Sequence, residues 1–446
     1  MRDVRDFGAA GDGSTLDTQA IQSAIDACGA AIGGTVHFRP GAYVTGSLFL
    51  RSHVTLDLEA GAVLLGSEDP ADYPIIRSRW EGVDQETHAP LIGGCRLEGI
   101  AVVGRGTVDG RGALWWQSFR DGGDTGESAV SPYPRPRLIS FVDCRDVLID
   151  GVTLIRSPSW TVNPVRCHNV TIDKVTILNP ADSPNTDGIN PDSCRNVHIS
   201  NCHIDVGDDC IALKSGTEAE DIDKRAPCEN VTITNCTMLH GHGGVVIGSE
   251  MSGGVRNVVI SNCIFEGTDR GIRLKSRRGR GGVVEDIRAT NIIMVGVLCP
   301  FTVNLYYACG AWGNKMVADK QPHVVTEGTP RFRRIYLSHV TARDAKLAAG
   351  FVYGLPEMPV EEVSLDDVSI SMAHDAEPGY PEMADDMELM QRAGLYVRHV
   401  RGLRLQGVEI TGQQGPALLL RDARGNIPYG HNYSKRGRAR NSGVLS

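Results

Sequence analysis

The sequence predicts an all-β fold, a right-handed parallel β-helix (solenoid) in which each coil contributes roughly three short strands. One strand phrase recurs with start-to-start spacings of 23, 27, 34 and 27 residues. Each copy is rich in β-branched residues and is bounded by Asn, Asp or Gly, which is typical of short strands between turns. Repeats of about 20–50 residues indicate solenoids or propellers, and a propeller blade needs about 40 or more. The copies begin at Cys144, Cys167, Cys194, Cys228 and Val255.

Segments that do not fit the repeat are predicted to cap or interrupt the solenoid. Residues 14–28 carry apolar residues at helical spacing. We expect an N-terminal capping helix there, because the open end of a solenoid must be covered. Residues 110–135 and 374–395 are predicted to be loop insertions, and residues 434–446 a flexible tail. No linker is evident, so residues 1–446 are predicted to form a single domain.

Composition limits the classes of partner. The 446 residues carry a net charge of −9, which argues against nucleic acid as the main partner. No run of 18 apolar residues occurs, so no membrane span is predicted. The first residues, MRDVRDFGAAGDG, lack an apolar signal core, which predicts a cytoplasmic protein, or a secreted or periplasmic one if a leader was removed. The oligomeric state is not predicted.

The twelve cysteines follow the repeat and do not suggest a disulfide framework. Four of them begin strand phrases, and Cys202, Cys236 and Cys263 each follow an Asn at matching offsets. This pattern favours stacks of small apolar side chains in a reducing compartment. Because no CxxC pair occurs, zinc is not expected, and no metal site is predicted.

Polar residues recur at nearly the same point of successive coils. Asp187 precedes the pair Asp208–Asp209 by about one coil, and His242 and then Arg273 follow at intervals of 33 and 31 residues. Strands in neighbouring coils lie about 4.8 Å apart, so residues one coil apart become neighbours on one face. With Lys275, the face is predicted to hold three carboxylates, an imidazole and two fixed cations.

These side chains fit hydrolysis of a glycosidic bond. That reaction needs two carboxyl groups that flank the bond, one of them protonated to serve the leaving oxygen. Close carboxylates raise the pKa of one of their number by mutual repulsion. In an inverting enzyme the two groups stand about 6.5–9.5 Å apart, a gap that residues one or two coils apart can span.

The motifs NTDG at 185–188, GDD at 207–209, GHG at 241–243 and RLK at 273–275 resemble, in order and spacing, the four signatures of glycoside hydrolase family 28, the polygalacturonases. The opening FGAAGDGSTLDTQAIQSAIDAC and the phrase VVGRGTVDGRG resemble the bacterial members, in particular bacterial exo-polygalacturonases. The resemblance covers about residues 4–420. It implies a right-handed parallel β-helix of inverting hydrolases, in agreement with the fold expected from the repeat alone.

The resemblance implies a role for each motif residue. Asp208 would be the general acid, and Asp187 and Asp209 would position and deprotonate the attacking water. His242 would tune the protonation of the acid. The remaining residues would bind substrate, with Arg273 offering a bidentate fork to a galacturonate carboxylate. These substrate-binding residues are Asn185, Arg273, Lys275 and a tyrosine, Tyr306 or Tyr307, of which we favour Tyr307.

The function implied is hydrolysis of α-1,4-galacturonosyl linkages in an acidic pectic polysaccharide or oligosaccharide, without a cofactor. The long insertions and the missing signal core favour exo action. Xylogalacturonan hydrolysis stays open, whereas rhamnogalacturonan hydrolases generally lack the GHG and RxK features. Two alternatives from other classes are a calcium-dependent, pectate-lyase-like β-helix and a non-catalytic sugar-binding β-helix.

Several further residues have two interpretations each. The arginines within residues 277–280 either form a solvated loop or attract further uronate units. Trp115 and Trp116 either stack on sugars or pack within their insertion, and Trp160 belongs either to the core or to the wall of the cleft.

Overall fold

The computed structural model describes residues 1–122 and 131–426, which form a right-handed parallel β-helix. Each coil adds strands to three parallel sheets, here called the first, second and third sheet in the order in which a coil visits them. The predicted fold class is therefore confirmed.

The first sheet supplies most of the repeated strand phrases. Its strands are Arg2–Asp3, Gly34–Phe38, Val54–Leu58, Glu98–Gly104, Arg145–Asp150, His168–Asp173, Arg195–Ser200, Cys228–Thr234, and the early parts of Val255–Glu266, Val283–Val295, Arg331–Ala345 and Val360–Met372. The later parts of those last four strands continue into the second sheet, and the strand Ala393–Thr411 runs through all three sheets. The other strands of the second sheet are Asp12–Leu16, Gly41–Thr45, Ala62–Gly66, Thr107–Asp109, Thr153–Ile155, Thr176–Leu178, His203–Val206 and Thr237–His240.

The third sheet carries the residues that matter for function. Its strands are Leu48–Phe49, Ile92–Cys95, Ile139–Val142, Val162–Val165, Ile211–Leu213, Val245–Ile247, Arg270–Lys275, Cys299–Asn304, Ala348–Tyr353, and parts of Ala393–Thr411 and Gln414–Asn426. Outside these sheets, Ile75–Trp80 and Val83–His88 form an antiparallel hairpin. The helices are Thr18–Ala30, Ala113–Asp121 and Lys315–Ala318, with 3₁₀ turns at Val4–Phe7, Pro70–Asp72 and Ile222–Lys224.

The core is built from equivalent apolar residues of successive coils. Alternating residues of a strand face opposite sides, so every second residue of each phrase points inward. Ile172, for example, pairs in register with Ile199, which pairs with Ile233, and all three are fully buried. The same register holds for the preceding valines of each phrase, so one column of apolar side chains runs along the solenoid axis.

Asparagines at the coil corners form a hydrogen-bonded ladder. Asn196, Asn230 and Asn257 adopt left-handed conformations with φ of 57–58°, which Asn tolerates better than most residues. The side-chain amide of Asn196 donates to Asn169 at 3.1 Å, that of Asn230 to Asn196 at 3.1 Å, and that of Asn257 to Asn230 at 2.9 Å. The recurring Asn of each phrase therefore fixes the corner between sheets.

The cysteines form the predicted stacks. All twelve lie in the described ranges and are free thiols, ten of them buried. Cys167 donates its backbone N–H to the sulfur of Cys194 at 3.4 Å. Cys202, Cys236 and Cys263 occupy matching buried positions three coils in succession. These thiols act as small core residues.

The capping helix is present, but its start differs from the prediction. The helix runs over Thr18–Ala30, whereas Ser14 and Thr15 belong to the strand Asp12–Leu16. The carboxylate of Asp12 accepts hydrogen bonds from the backbone N–H groups of both residues at 2.8 Å, which holds them in a turn-like extended segment. The helix buries Ile21 and Ile25 against the first coil and thereby covers the open end of the core.

The predicted insertions have more structure than loops. Residues 110–135 contain the helix Ala113–Asp121, and residues 374–395 contain a bridge between Gly379 and Met390 and the start of the strand Ala393–Thr411. Residues 123–130 and the predicted tail at 434–446 lie outside the described ranges. Among the described helices, none is long and apolar enough to cross a membrane.

Candidate active site

The register of the third sheet brings the motif residues together. Ile189 forms bridges with Ile211, and Ile211 pairs with Val245 in the next coil. The acidic or histidine residues of the first three motifs precede these residues by two or three positions, and Arg273 follows the partner of Val245 in the next coil, so the motifs lie side by side. The backbone confirms this, since Gly188 N–H donates to the Asp209 carbonyl at 3.0 Å and Cys210 N–H donates to the Gly243 carbonyl at 2.8 Å.

At Gly207 of the GDD motif there is no room for a side chain. It lies against the preceding coil, where an added Cβ would come within 2.4 Å of the Ser183 carbonyl and 2.7 Å of the Pro180 carbonyl. Only a residue without a side chain lets the Asp208–Asp209 corner approach this backbone so closely.

We expect Gly207→Ala to lower the melting temperature and kcat/KM together. Overpacking against backbone atoms costs about 1–3 kcal/mol, and relief of the clash moves the two acids that follow. Thermal unfolding and steady-state kinetics measure the two effects. Gly296→Ala, at a glycine with open space around it, is the comparison; its φ of 67° makes that variant mildly strained. Unchanged kinetics in Gly207→Ala would contradict the packing argument.

Three carboxylates form the centre of the site. Oxygens of Asp187, Asp208 and Asp209 all lie within 4.8 Å of one another, and the first and third residues are almost fully buried. This spacing is shorter than the roughly 6.5–9.5 Å expected above for an inverting pair. The expectation was wrong because Asp208 and Asp209 are consecutive in the chain, and Asp187 lies only one strand spacing of about 4.8 Å away on the adjacent coil.

Asp208 and His242 form a pair that shares a proton. The Nδ1 atom of His242 lies 3.1 Å from Oδ1 of Asp208. Burial alone would raise the pKa of Asp208, but the hydrogen bond and charge of His242, with Lys275 and Lys214, outweigh burial and hold that pKa at about 2. The hydrogen bond to Asp208 in turn raises the pKa of His242 to about 9. Below that pH the pair carries one proton, held mainly on the imidazole.

We expect His242→Asn to move the alkaline limb of the kcat/KM profile to lower pH. The wild-type pair keeps its proton until the pH passes about 9. Without the imidazole the proton must reside on Asp208, whose pKa rises above its present value but stays below that of the lost histidine. His240→Asn is the matched control, since His240 pairs with Asp205 at 2.8 Å outside the cluster. An unshifted limb in His242→Asn would contradict the proton-sharing pair.

Asp187 is set apart from the other two acids by its surroundings. Burial and the nearby charge of Asp208 raise the pKa of Asp187 well above its ordinary value. Its Oδ2 accepts a hydrogen bond from the side-chain amide of Asn190 at 2.8 Å. The charge of Lys214, which is buried on the adjacent coil and pairs with Glu250 at 3.1 Å, opposes this rise in the pKa of Asp187 but does not cancel it.

The two cations of the RLK motif are already paired within the protein. Lys275 Nζ donates to Oδ2 of Asp209 at 2.9 Å, and both side chains are almost fully buried. Arg273 donates through Nε and Nη2 to the two carboxylate oxygens of Glu382 at 2.9 and 3.0 Å. The fork expected for a substrate carboxylate is therefore occupied in this structure. Only Nη1 of Arg273 faces the acids, 3.6 Å from Oδ1 of Asp209.

The two remaining substrate-binding candidates lie at the edges of this cluster. The ring of Tyr307 packs 5.6 Å from the Arg273 guanidinium and 5.1 Å from Lys275 Nζ, whereas Tyr306 packs on Tyr353 in the core. Asn185 has a left-handed φ of 52°, and its Oδ1 accepts from Nη2 of Arg135 at 2.7 Å.

A wall formed by Trp80, Trp160 and Arg137 flanks the site on the side nearest the N-terminus. Trp80 of the hairpin stacks on Trp160 with ring centroids 5.9 Å apart, one coil before Asp187. The guanidinium of Arg137 lies about 5 Å from both rings, at 5.0 and 5.1 Å. Trp160 is itself buried and packs under Trp80 and Arg137, which supports a packing role for its ring.

The hairpin is anchored by one buried arginine. Arg79 is 2% exposed and donates through Nη1 to Asp192 at 2.9 Å and through Nη2 to Glu220. Its carbonyl accepts a hydrogen bond from Arg137. The hairpin is thus tied to strands and loops of the third sheet.

The other residues for which the sequence allowed two interpretations have structural partners. Arg277 and Arg280 pair with Glu218, and Arg278 forms a bidentate pair with Glu357, so these arginines do not form a solvated loop. Trp115 and Trp116 are buried in the helix that contains them, and the indole N–H of Trp116 donates to the Ser157 carbonyl at 2.9 Å. Their position favours packing over contact with sugars.

Sequence reasoning missed four residues around the acids. Lys214 could have been found from the sequence. It directly follows the strand Ile211–Leu213 after the GDD motif, and in the alternation of that strand it points to the face opposite Ile211 and Leu213. The other three lie outside the repeat, where no periodic pattern points to them. These are Arg135, Arg137 and Glu382.

A parallel β-helix with clustered carboxylates on one sheet has the groups that a glycosidase needs. The chain belongs to glycosyl hydrolases family 28, whose sequence profile matches residues 77–377. A second profile, rhamnogalacturonase A/epimerase, pectate lyase-like, matches residues 1–78. The predicted family is therefore confirmed, and the chain is a glycoside hydrolase.

Individual relatives support this assignment. The chain is 37% identical over 378 residues to a probable polygalacturonase of Vitis vinifera, which covers 82% of this chain and 74% of that protein. It is 29% identical to the exo-poly-α-D-galacturonosidase of Dickeya chrysanthemi over 77% of this chain and 62% of that protein. The crystal structure of a hyperthermoactive exopolygalacturonase from Thermotoga maritima is similar, with a TM-score of 0.75, 28% identity and 91% of each chain covered.

Proposed function

We propose that this protein is an exo-acting polygalacturonase that hydrolyses α-1,4-galacturonosyl bonds. The observation that supports it best is the register of four coils that places Asp187, Asp208, Asp209 and His242 around one point, with Lys275 beside them. This hydrolysis needs a general acid, carboxylates that hold and deprotonate the attacking water, and a cation that binds the uronate carboxylate.

The proposed roles follow the contacts of each acid. Asp208, which shares a proton with His242, protonates the leaving oxygen. Asp187 and Asp209 hold the attacking water between them. We assign proton abstraction to Asp209, whose ion pair with Lys275 stabilises its negative charge, and water positioning to Asp187, whose pKa is raised by burial and by Asp208.

Uronate binding is assigned to the cationic side of the cluster. Lys275 and the Nη1 edge of Arg273 offer positive charge next to Asp209, and the Tyr307 ring lies against both cations. Arg135 and Asn185 lie on the other side of the acids, where they offer a guanidinium and an amide to the sugar on that side.

Exo action is supported by the wall of Trp80, Trp160 and Arg137. The rings lie one coil before Asp187, so the wall stands directly beside the acids on that side. A chain end fits against such a wall, whereas the interior of a polymer would have to pass through it.

Product analysis over time on defined oligogalacturonates tests the proposal. Release of monomer from the first time point is expected, and a spread of intermediate lengths would contradict exo action. Proton NMR of the first product tests inversion, since an inverting enzyme releases the β anomer from an α bond. Initial release of the α anomer would contradict it.

Substrate and product properties separate the alternatives. Lyase products absorb in the ultraviolet and their formation needs calcium, whereas hydrolysis yields saturated reducing sugars without added calcium. Faster cleavage of xylogalacturonan than of polygalacturonate would favour xylogalacturonan hydrolysis, and binding without turnover by the wild-type chain would favour a sugar-binding role.

A further inference from the structure

The guanidinium of Arg273 has two edges with different partners. Nε and Nη2 form a bidentate pair with Glu382 at 2.9 and 3.0 Å. Nη1 lies 3.5 Å from the carbonyl of His242 and 3.6 Å from Oδ1 of Asp209. One edge is therefore held by a protein carboxylate, and the other edge faces the catalytic acids.

Glu382 is built into its place as a charged group. It is 1% exposed, and its Oε1 also accepts a hydrogen bond from the hydroxyl of Thr302 at 2.7 Å. Burial would raise its pKa, but the charges of Arg273 and Arg270 outweigh burial and hold that pKa at about 2. A buried carboxylate with this many donors has a single well-defined position.

The segment that carries Glu382 is fixed on both sides. Arg270 donates through Nε to the Pro381 carbonyl at 2.9 Å and through Nη2 to the Tyr380 carbonyl at 3.0 Å. The Met383 carbonyl accepts from the side-chain amide of Asn304 at 3.1 Å and from the backbone N–H of Ala308 at 3.0 Å. The segment comes from the insertion at 374–395, about 110 residues after Arg273 in the chain.

We propose that Glu382 is a positioning residue that orients Arg273, so that its Nη1 edge points at Asp209 and at the uronate of the scissile bond. The inference rests on the proposed function, because it assigns Arg273 to the substrate side of the acids. It also changes the expected role of Arg273. The edge formed by Nε and Nη2 binds Glu382, and only the Nη1 edge is left to bind the substrate.

Glu382→Gln tests the proposal with little change in shape. The amide offers one acceptor instead of two, so the bidentate pair cannot form and the guanidinium turns. We expect kcat/KM on trigalacturonate to fall by about ten- to a hundredfold, with the larger part in KM, because small displacements of positioning groups have effects of that size. Glu382→Asp, which keeps the charge, should restore part of the loss.

Glu357→Gln is the matched control. Glu357 forms the same bidentate pair with Arg278, at 2.6 and 3.0 Å, and both side chains are buried. That variant loses the same kind of ion pair without touching the acids, so its melting temperature should fall while its KM stays within about twofold of wild type.

A double-mutant cycle shows whether Glu382 acts through Arg273. In the Arg273→Lys background, Glu382→Gln should change kcat/KM by less than about twofold, since lysine has no fork to orient. Additive losses in the double variant, or a kinetic effect no larger than that of Glu357→Gln, would overturn the inference while leaving the proposed hydrolysis intact. A wild-type chain that does not hydrolyse trigalacturonate would overturn both.

Discussion

Asp208→Asn should reduce hydrolysis of oligogalacturonates by about 100- to 10,000-fold, the usual contribution of a general acid. The asparagine keeps the shape of the side chain and can still accept from His242, but it cannot donate a proton to the leaving oxygen. His242 loses the carboxylate that raises its pKa, so the proton shared by the pair is lost from the site as well. Initial rates on trigalacturonate measure the effect.

The fold and binding should survive this change. The carboxylate of Asp208 is stabilised by His242 and Lys275, which hold its pKa at about 2, so the melting temperature should fall modestly while unfolding stays cooperative. Calorimetric titration with trigalacturonate should still show binding. Asp205→Asn, at the partner of His240 outside the cluster, provides the control for general effects of charge removal. Near-wild-type turnover by folded Asp208→Asn would refute the role assigned to this residue.

Lys275→Met should both destabilise the protein and abolish most of its activity. The side chain of Lys275 forms a buried ion pair with Asp209 at 2.9 Å. Its removal leaves Asp209 with Nη1 of Arg273 at 3.6 Å as its nearest described cation, too long for a good hydrogen bond. Breaking a buried pair in this way costs about 3–5 kcal/mol of unfolding free energy.

A second variant separates the two effects of Lys275. The double variant Asp209→Asn with Lys275→Met leaves no unpaired charge, so it should regain most of the lost unfolding free energy. It should remain inactive, because the proposed base is gone. Denaturant unfolding and initial rates report the two quantities independently. If the double variant were as unstable as Lys275→Met, the unpaired carboxylate would not be the cause.

The sequence was informative where the repeat governs the structure. A period in the twenties and a strand phrase with inward valine and isoleucine predict a parallel β-helix, since stacked coils are the way such a phrase buries its apolar side. The same register predicts that Asp187, Asp208 and His242 meet, because residues one coil apart become neighbours. No long-range information is needed for either conclusion.

The contacts that the sequence did not reveal come from segments outside the repeat. Glu382 reaches Arg273 from an irregular insertion, and the hairpin of Trp80 reaches Trp160 in the same manner. Such contacts depend on how a non-periodic segment folds back, which leaves no spacing signal. The carboxylate separation was overestimated for a different reason. The range is a general one for inverting enzymes, whereas in this chain two of the acids are consecutive residues and the third lies one strand spacing away.

The anchored hairpin has a consequence for how successive sugars are removed. Arg79 joins Asp192, Glu220 and the Trp80 wall in one network, so opening the wall to let a product leave behind it would break buried ion pairs. A monosaccharide released against this wall departs by the opening through which the polymer entered, and the shortened chain must withdraw first. For the proposed exo action we therefore expect distributive turnover, with one cleavage in each encounter, and competition between free galacturonate and the substrate.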